Sequence, residues 1–446
     1  MSHFQGIIMK RFNLFYIKIS IAILIIAALG WFFFGSYVEL GKPAIKFAQG
    51  VTAVGRQKTL EINFSDSQSG LSHLNVEIIQ DNKGQILADK IISSKGTRKE
   101  RLPLTIRAGQ FNLHDGPATL KVTATDYSLF KNKAVLSQPI KIDTVPPQIN
   151  LVKNINYINQ GGTGFVAYQP SEALSSTGVY INNYLSPAHA ILIDNKPSYI
   201  TYFALPMDAN KTTTRIMVFA RDEAGNETTM SIPCVIKEKK FRADKMNLSE
   251  NFLQQKMPEF QAMVPSLQGK TSLEVFSYIN SQMRNDNLLT IQKICQKSAS
   301  KELWEGTFLR MKDGAPMALF GDKRSYMYNG KVVGESIHSG VDLASNARSP
   351  IEASNKGIVV FTGALGIYGN AVIIDHGLGM FSLYGHLSSI DTTVGKNVAK
   401  GEIIGLSGMS GLAGGDHLHF SIIVGGQFVD PKEWWDPHWI KDNITR

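Results

Sequence analysis

Hydrophobic positions change period three times along the chain. From Ile19 to Val38 the residues are apolar apart from Ser20, Ser36 and small side chains. About 20 such residues span a hydrocarbon core. Lys10, Arg11 and Lys18 precede the run, and no acidic residue occurs before Glu39. This asymmetry predicts an N-terminus kept in the cytoplasm and an exported remainder. Ala27-Ala28-Leu29-Gly30 leads straight into Trp31-Phe-Phe-Phe34, so the run does not stop at a small-residue cleavage site. An uncleaved single-pass anchor is therefore expected rather than a removed signal peptide.

Over residues 41–240 the period falls to two. Leu60-Glu-Ile-Asn-Phe64, Leu120-Lys-Val-Thr-Ala124 and Arg215-Ile-Met-Val-Phe219 alternate as half-buried strands, separated by Gly, Asn, Asp and Pro. A weak repeat is present. Pro43-Ala-Ile45 recurs as Pro147-Gln-Ile149, and Val122-Thr-Ala-Thr-Asp126 as Val218-Phe-Ala-Arg-Asp222. The spacing suits two immunoglobulin-like sandwiches of about 100 residues each, 41–143 and 144–240, joined at Asp143-Thr-Val-Pro-Pro147. The acidic turns Asp66-Ser-Gln-Ser-Gly70 and Asp222-Glu-Ala-Gly225 are read as capped turns before calcium loops.

Helical spacing takes over at 241–302. Helices are predicted over Ser249–Met257, over Thr271–Met283 behind a Thr271-x-x-Glu274 capping box, and over Leu288–Ser298. They either pack on the C-terminal region or occlude it. From Leu303 the pattern is β again, with Asn329-Gly330 marking a hairpin between Arg324–Tyr328 and Lys331–Val333. The chain thus reads as mainly β: one transmembrane helix in 1–40, two sandwiches, a helical linker and an antiparallel β domain over 303–446.

Composition changes this picture little. At 446 residues with 43% hydrophobic and 19% charged residues, the chain is ordered globular protein. A net charge of +9 suits work beside an anionic polymer or membrane face. No dense basic patch interleaved with aromatics or reader motif points to nucleic acid. Cys234 and Cys295 could pair in an oxidising compartment, but two free thiols are the simpler expectation.

Histidine placement changes it most. Six of the ten histidines lie from His338 onward. His417 and His419 sit two apart in a strand-like segment, so both face one side. His338 and Asp342 are four apart, an even spacing with the same consequence on extended chain. Two imidazoles and a carboxylate make a three-ligand site suited to zinc, with one position left open for hydrolytic chemistry. Further imidazoles remain to move protons beside it. Tyr384 precedes His386 by two and is expected on the same face, orienting substrate. His438, near Trp434-Trp435 and Trp439, is read as a packing residue. Asp416 is expected to raise the pKa of His417 by Coulomb attraction.

The segments His338-Ser-Gly-Val-Asp342, Tyr368-Gly-Asn-Ala-Val-Ile-Ile-Asp-His-Gly377, Tyr384-Gly-His-Leu387 and His417-Leu-His-Phe420 resemble, in order, the lysostaphin-type (LytM-like) zinc endopeptidases of bacterial cell walls. Phe320-Gly-Asp-Lys-Arg-Ser-Tyr326 is similar to the lead-in of membrane-anchored members. The resemblance implies His338, Asp342 and His419 as ligands of one zinc ion per chain, with His386 and His417 as the catalytic pair. It implies cleavage of peptidoglycan peptide cross-links, as a D,D-endopeptidase of wall remodelling working alongside cell-wall or division proteins. Residues 19–38 would tether it to the inner membrane, with the C-terminal domains in the periplasm. The rival reading is a non-catalytic anchored scaffold or activator of other wall hydrolases. A third is an adhesin or secretion accessory built on the sandwiches.

Overall fold

The computed structural model describes residues 17–31, 38–155 and 157–444. A helix covers 17–31. Among the described residues no helix is long and apolar enough to cross a membrane, and residues 32–37 of the predicted apolar run lie outside them.

The chain divides into two compact units, the first comprising Met1–Pro147 with Ala173–Ser175 and Arg221–Glu227. In it, strand Gln57–Ser65 pairs with Ala44–Phe47 and Lys99–Arg107. A second sheet runs in the order Ala53–Val54, Lys133–Ile142, Gly116–Asp126, Leu71–Gln80, Lys83–Ile91. Period two decides which residues meet between the sheets: Leu60, Ile62 and Phe64 from one, Leu74, Val76, Ile78, Leu120 and Val122 from the other. Each fully buried aliphatic side chain there contributes about 1.5–3 kcal/mol.

The second unit holds Gln148–Glu172, Ser176–Ala220 and everything from Thr228 onward. One four-stranded sheet has the order His189–Ile193, Lys196–Ala204, Thr163–Pro170, Ile149–Asn154. The repeated motifs occupy matching places. Strands Ala44–Phe47 and Ile149–Asn154 begin at or near the Pro-x-Ile copies, and Gly116–Asp126 and Ile216–Asp222 end on the repeated aspartate.

The helical stretch follows its caps. Ser249 caps Glu250–Met263, and Thr271 and Glu274 complete a capping box. The two helices predicted beyond Thr271 are continuous: Ser272–Tyr278 passes through a π-turn, Ile279–Met283, into Arg284–Ile294. The wider turn keeps Ile279, Asn280 and Met283 buried together, and such turns recur at functional sites.

The C-terminal sheet has the order Ala315–Ala318, Val341–Ala344, Leu418–Val424, Met380–Leu387, Asn370–Gly377, Gly357–Ala364, Asn397–Val398. Strands Met380–Leu387 and Leu418–Val424 are buried at every residue, because both faces are covered. Phe381, Leu383 and Ile423 pack with Met257, Phe276 and Ile291 of the helices. Tyr384, Phe420 and Ile422 face the opposite way, into a core that includes Tyr202, Trp304, Phe308 and Trp434. That second core ties the sheet to the strands that begin at Ile149. Trp434 Nε1 donates to Thr163 Oγ1 at 3.0 Å, and the buried Glu433 carboxylate accepts from the Thr163 N–H at 2.7 Å and from Asn159 at 3.0 Å. The Asn329-Gly330 hairpin forms as predicted, with φ of 49° and 77°. Cys234 is half-buried, Cys295 buried, and both are free thiols.

Candidate metal centre and peptidase site

Three neighbouring strands set the centre. Asp342 lies directly opposite His419 in one strand pair, and Gly385 lies opposite His419 in the next. His419 is thus flanked by Asp342 on one side and by the residue before His386 on the other. His338 is brought in by a loop, its N–H donating to the Asp322 carbonyl and its own carbonyl accepting from Gly321.

Three donor atoms form a triangle: His338 Nε2 to Asp342 Oδ1 2.9 Å, His419 Nδ1 to Asp342 Oδ1 2.9 Å, and His338 Nε2 to His419 Nδ1 3.1 Å. His338 Nδ1 donates to the Leu319 carbonyl at 3.0 Å, so a neutral ring presents only a lone pair to Asp342. Ser421 Oγ lies 2.9 Å from His419 Nε2 and can accept a hydrogen bond from its N–H, the tautomer that leaves Nδ1 bare as well. Burial first, and then its histidine neighbours, push His419 down to about 4. Burial alone would raise the Asp342 carboxyl, but the His338 and His419 imidazoles set against it hold it well below the ordinary carboxylate range. Its second oxygen accepts from Arg324 at 3.1 Å. Converging lone pairs at such distances repel unless a cation lies among them. The triangle is small enough for an ion about 2 Å from every corner, and the nitrogen–oxygen donor set suits zinc.

Two further imidazoles adjoin the triangle. His386 Nδ1 donates to the Ser410 carbonyl at 2.8 Å and His417 Nδ1 to the Gly415 carbonyl at 2.9 Å, which leaves both Nε2 atoms bare. The two rings lie 4.8 Å apart, and His417 Nε2 is 3.6 Å from Asp342. Burial, then His417 and His419, push His386 down to about 3, so it is neutral at ordinary pH. His386 has φ of 64°, a conformation costing an L-residue of order 1–3 kcal/mol that persists where surrounding structure enforces it.

That backbone reversal corrects one expectation. Tyr384 does not share the face of His386: its hydroxyl is 2.7 Å from both Ser354 N and Ser354 Oγ, inside the core behind the sheet. Tyr368 stands beside His419 instead, with ring centres 5.2 Å apart and its hydroxyl 3.0 Å from Ser339 Oγ. Asp416 also turns away from the site. It accepts from Ser407 and from Arg348 N–H, as strand alternation requires of a residue next to an inward-facing histidine. His376 is fully buried between the Lys356 carbonyl and Ser382, apart from the triangle.

Above the triangle opens a hollow of about 420 Å³. Phe252, Phe276 and Arg284 from the helices form part of its wall, with Tyr326 and Arg324 from the hairpin. The helices therefore line the cavity while leaving it open. Arg324 is paired with Asp342, whereas Arg284 meets neutral oxygens, Asn280 Oδ1 at 3.0 Å and Tyr326 Oη at 3.4 Å. Arg284 and Tyr368 were missed in the sequence. Tyr368 stood in a recognised segment without an assigned role, and Arg284 needed the π-turn to aim it.

A buried triangle of two imidazoles and a carboxylate, with two further imidazoles beside an open cavity, is a group that could hold a metal ion. The chain carries a peptidase domain of the LytM/lysostaphin type: residues 336–431 match Peptidase family M23. It is 43% identical over 95 residues to a DD-carboxypeptidase/endopeptidase, Mpg, of Neisseria meningitidis, covering 21% of this chain and 22% of that protein. It is 41% identical over 93 residues to the peptidoglycan DD-endopeptidase ShyA of Vibrio cholerae, covering 21% and 22%. Murein hydrolase activator EnvC of Escherichia coli is 34% identical over 109 residues, covering 24% and 26%. The match thus spans about a quarter or less of each relative's length.

Proposed function

We propose that this protein is a zinc metalloendopeptidase that hydrolyses peptide cross-links of bacterial peptidoglycan, acting as a D,D-endopeptidase in wall remodelling. The observation that carries the reading is the convergence of His338 Nε2, His419 Nδ1 and Asp342 Oδ1 within 3.1 Å of one another. These three residues would hold the zinc. Bound there, the ion supplies Lewis acidity toward a peptide carbonyl and makes water a better nucleophile. His386, neutral and fixed by the Ser410 carbonyl, accepts the proton of the attacking water. The proton taken by His386 then passes to the departing amine by way of His417 Nε2, whose ring is fixed by Gly415 and stands 4.8 Å from that of His386. Arg324 holds the Asp342 carboxylate in place from its far side. The apolar wall of Phe252, Phe276 and Tyr326 suits small apolar peptide side chains, and Arg284 offers a carboxylate partner beside them. In the same reading, residues 19–38 anchor the chain in an inner membrane, and the two β modules are immunoglobulin-like spacers in the periplasm.

The similarity to a murein hydrolase activator supports a second reading, a scaffold that stimulates other hydrolases. Digestion of purified peptidoglycan by the metal-loaded full chain separates the two. Release of cross-link cleavage products, lost in His386→Ala, supports the peptidase. Intact wall with a partner hydrolase stimulated supports the activator.

A further inference from the structure

The first unit contains a second cluster of donors, built only from oxygen. Glu39, Asp66 and Asp126 each place a carboxylate oxygen within 4.8 Å of the other two. All three are deeply buried, at 1%, 7% and 0% exposure. Among the described residues none of the three is in an ion pair with Lys, Arg or His. Their bonds come from neutral donors. Ser67 Oγ and Ser69 N and Oγ donate to Glu39, Gly70 N and Gln68 N to Asp66 Oδ2, and Ser128 N and Oγ and Asn132 Nδ2 to Asp126. Asp66 Oδ1 is buried with no hydrogen-bond partner at all.

Three buried carboxylates stand together with no cationic side chain paired to them, and one carries an oxygen with no partner, an arrangement that a bound cation would relieve. Capping explains the Asp66 turn, since Oδ2 serves Gly70 and Gln68. It does not explain the unpartnered Oδ1, nor why Glu39 and Asp126 bring carboxylate oxygens within 4.8 Å of one on Asp66. We propose that Glu39, Asp66 and Asp126 bind a calcium ion. The donors are hard oxygens with no nitrogen or sulfur, which excludes a zinc-type site. Buried multi-carboxylate cradles with nearby hydroxyls and carbonyls suit the larger, flexible shell of Ca²⁺ better than the water-rich octahedron of Mg²⁺.

The site ties three distant stretches of sequence. Glu39 is the first acidic residue of the chain and leads from the apolar run into strand Ala44–Phe47. Asn132 adds a bond to the Glu39 carbonyl at 2.8 Å. Calcium would clamp this lead-in segment onto the turns at 66–70 and 126–132, stiffening the start of the first module.

The test is calorimetric titration of the full chain, purified in mild detergent and stripped of metal, with CaCl₂ alone. The expected result is one saturable Ca²⁺ per chain, weakened at least tenfold in Asp66→Asn and Asp126→Asn and unchanged in His338→Ala. Thermal melting distinguishes this from a turn cap. The Asp66→Asn change keeps an acceptor for Gly70 but removes one buried charge. Without calcium, this variant should therefore melt at or above the parent, and with calcium it should fail to gain the parent's upward shift. Absence of saturable binding in the parent, or equal binding in Asp66→Asn, overturns the proposal. So does a melting loss in Asp66→Asn that is the same with and without calcium.

Discussion

The donor triangle at His338, Asp342 and His419 and the carboxylate cluster at Glu39, Asp66 and Asp126 solve related problems in opposite ways. In the first, the atoms not facing the centre are held by the protein: Leu319 takes the far nitrogen of His338, and Arg324 takes the far oxygen of Asp342. One carboxylate and one guanidinium offset each other there, so a divalent ion held among the imidazoles would retain its Lewis acidity. In the second, three carboxylates face one another with only neutral donors around them. An ion held there would be neutralised, and its contribution would be mechanical. A catalytic metal needs its charge left over, whereas a structural one has it consumed.

The severest change to the first centre is removal of a corner. His338→Ala should abolish both stoichiometric zinc and cleavage of defined muropeptides, checked by metal analysis and chromatography of the digest. Full activity with no zinc would refute the assignment. His386→Ala should keep the zinc and lose about 10²–10⁴ in kcat, the usual worth of a positioned acid or base. Loss of zinc in this variant would make His386 a ligand instead. Arg324→Met should weaken zinc about 10–100-fold, as removal of outer-shell support does. Competition with a chelator reads that change, and unaltered affinity would show that the 3.1 Å contact does not tune Asp342.

Much of this was legible in the sequence, because two-residue alternation is a local rule. It put His417 and His419 on one face, and the structure keeps them there. The same rule failed at Tyr384 because His386 takes a left-handed backbone, and no periodicity records a single reversed φ. Caps and turns were also readable: the Thr271–Glu274 box and the Asn329-Gly330 hairpin need only neighbours in sequence. What could not be read depends on long-range convergence. Glu39, Asp66 and Asp126 are separated by whole strands, and only their common burial reveals them as a group. Likewise, apolar strands such as Leu418–Val424 reveal that both faces are covered but not by what.

Glu433 extends the contrast, as a buried carboxylate with a third solution. It lies at 8% exposure between Asn159 and Thr163, and burial pushes its pKa up to about 7 despite the bonds from those two donors. Here the charge is removed by a proton rather than offset by a cation. Because the folded pKa exceeds the ordinary 4.5, this group's stabilising contribution is full below about pH 4.5 and is lost as pH rises through about 7. The most it can amount to is about 3 kcal/mol, at about 1.4 kcal/mol for each pH unit that separates the folded and ordinary pKa. In a unit of this size that is a few degrees of melting temperature. The difference in melting temperature between the parent and Glu433→Gln should therefore shrink or invert as pH rises from about 5 to about 8. A pH-independent offset would report only the lost acceptor at Thr163 or Asn159. Parallel melting curves across that range would show that Glu433 stays charged when buried, supported by its two donors and by the nearby Lys239.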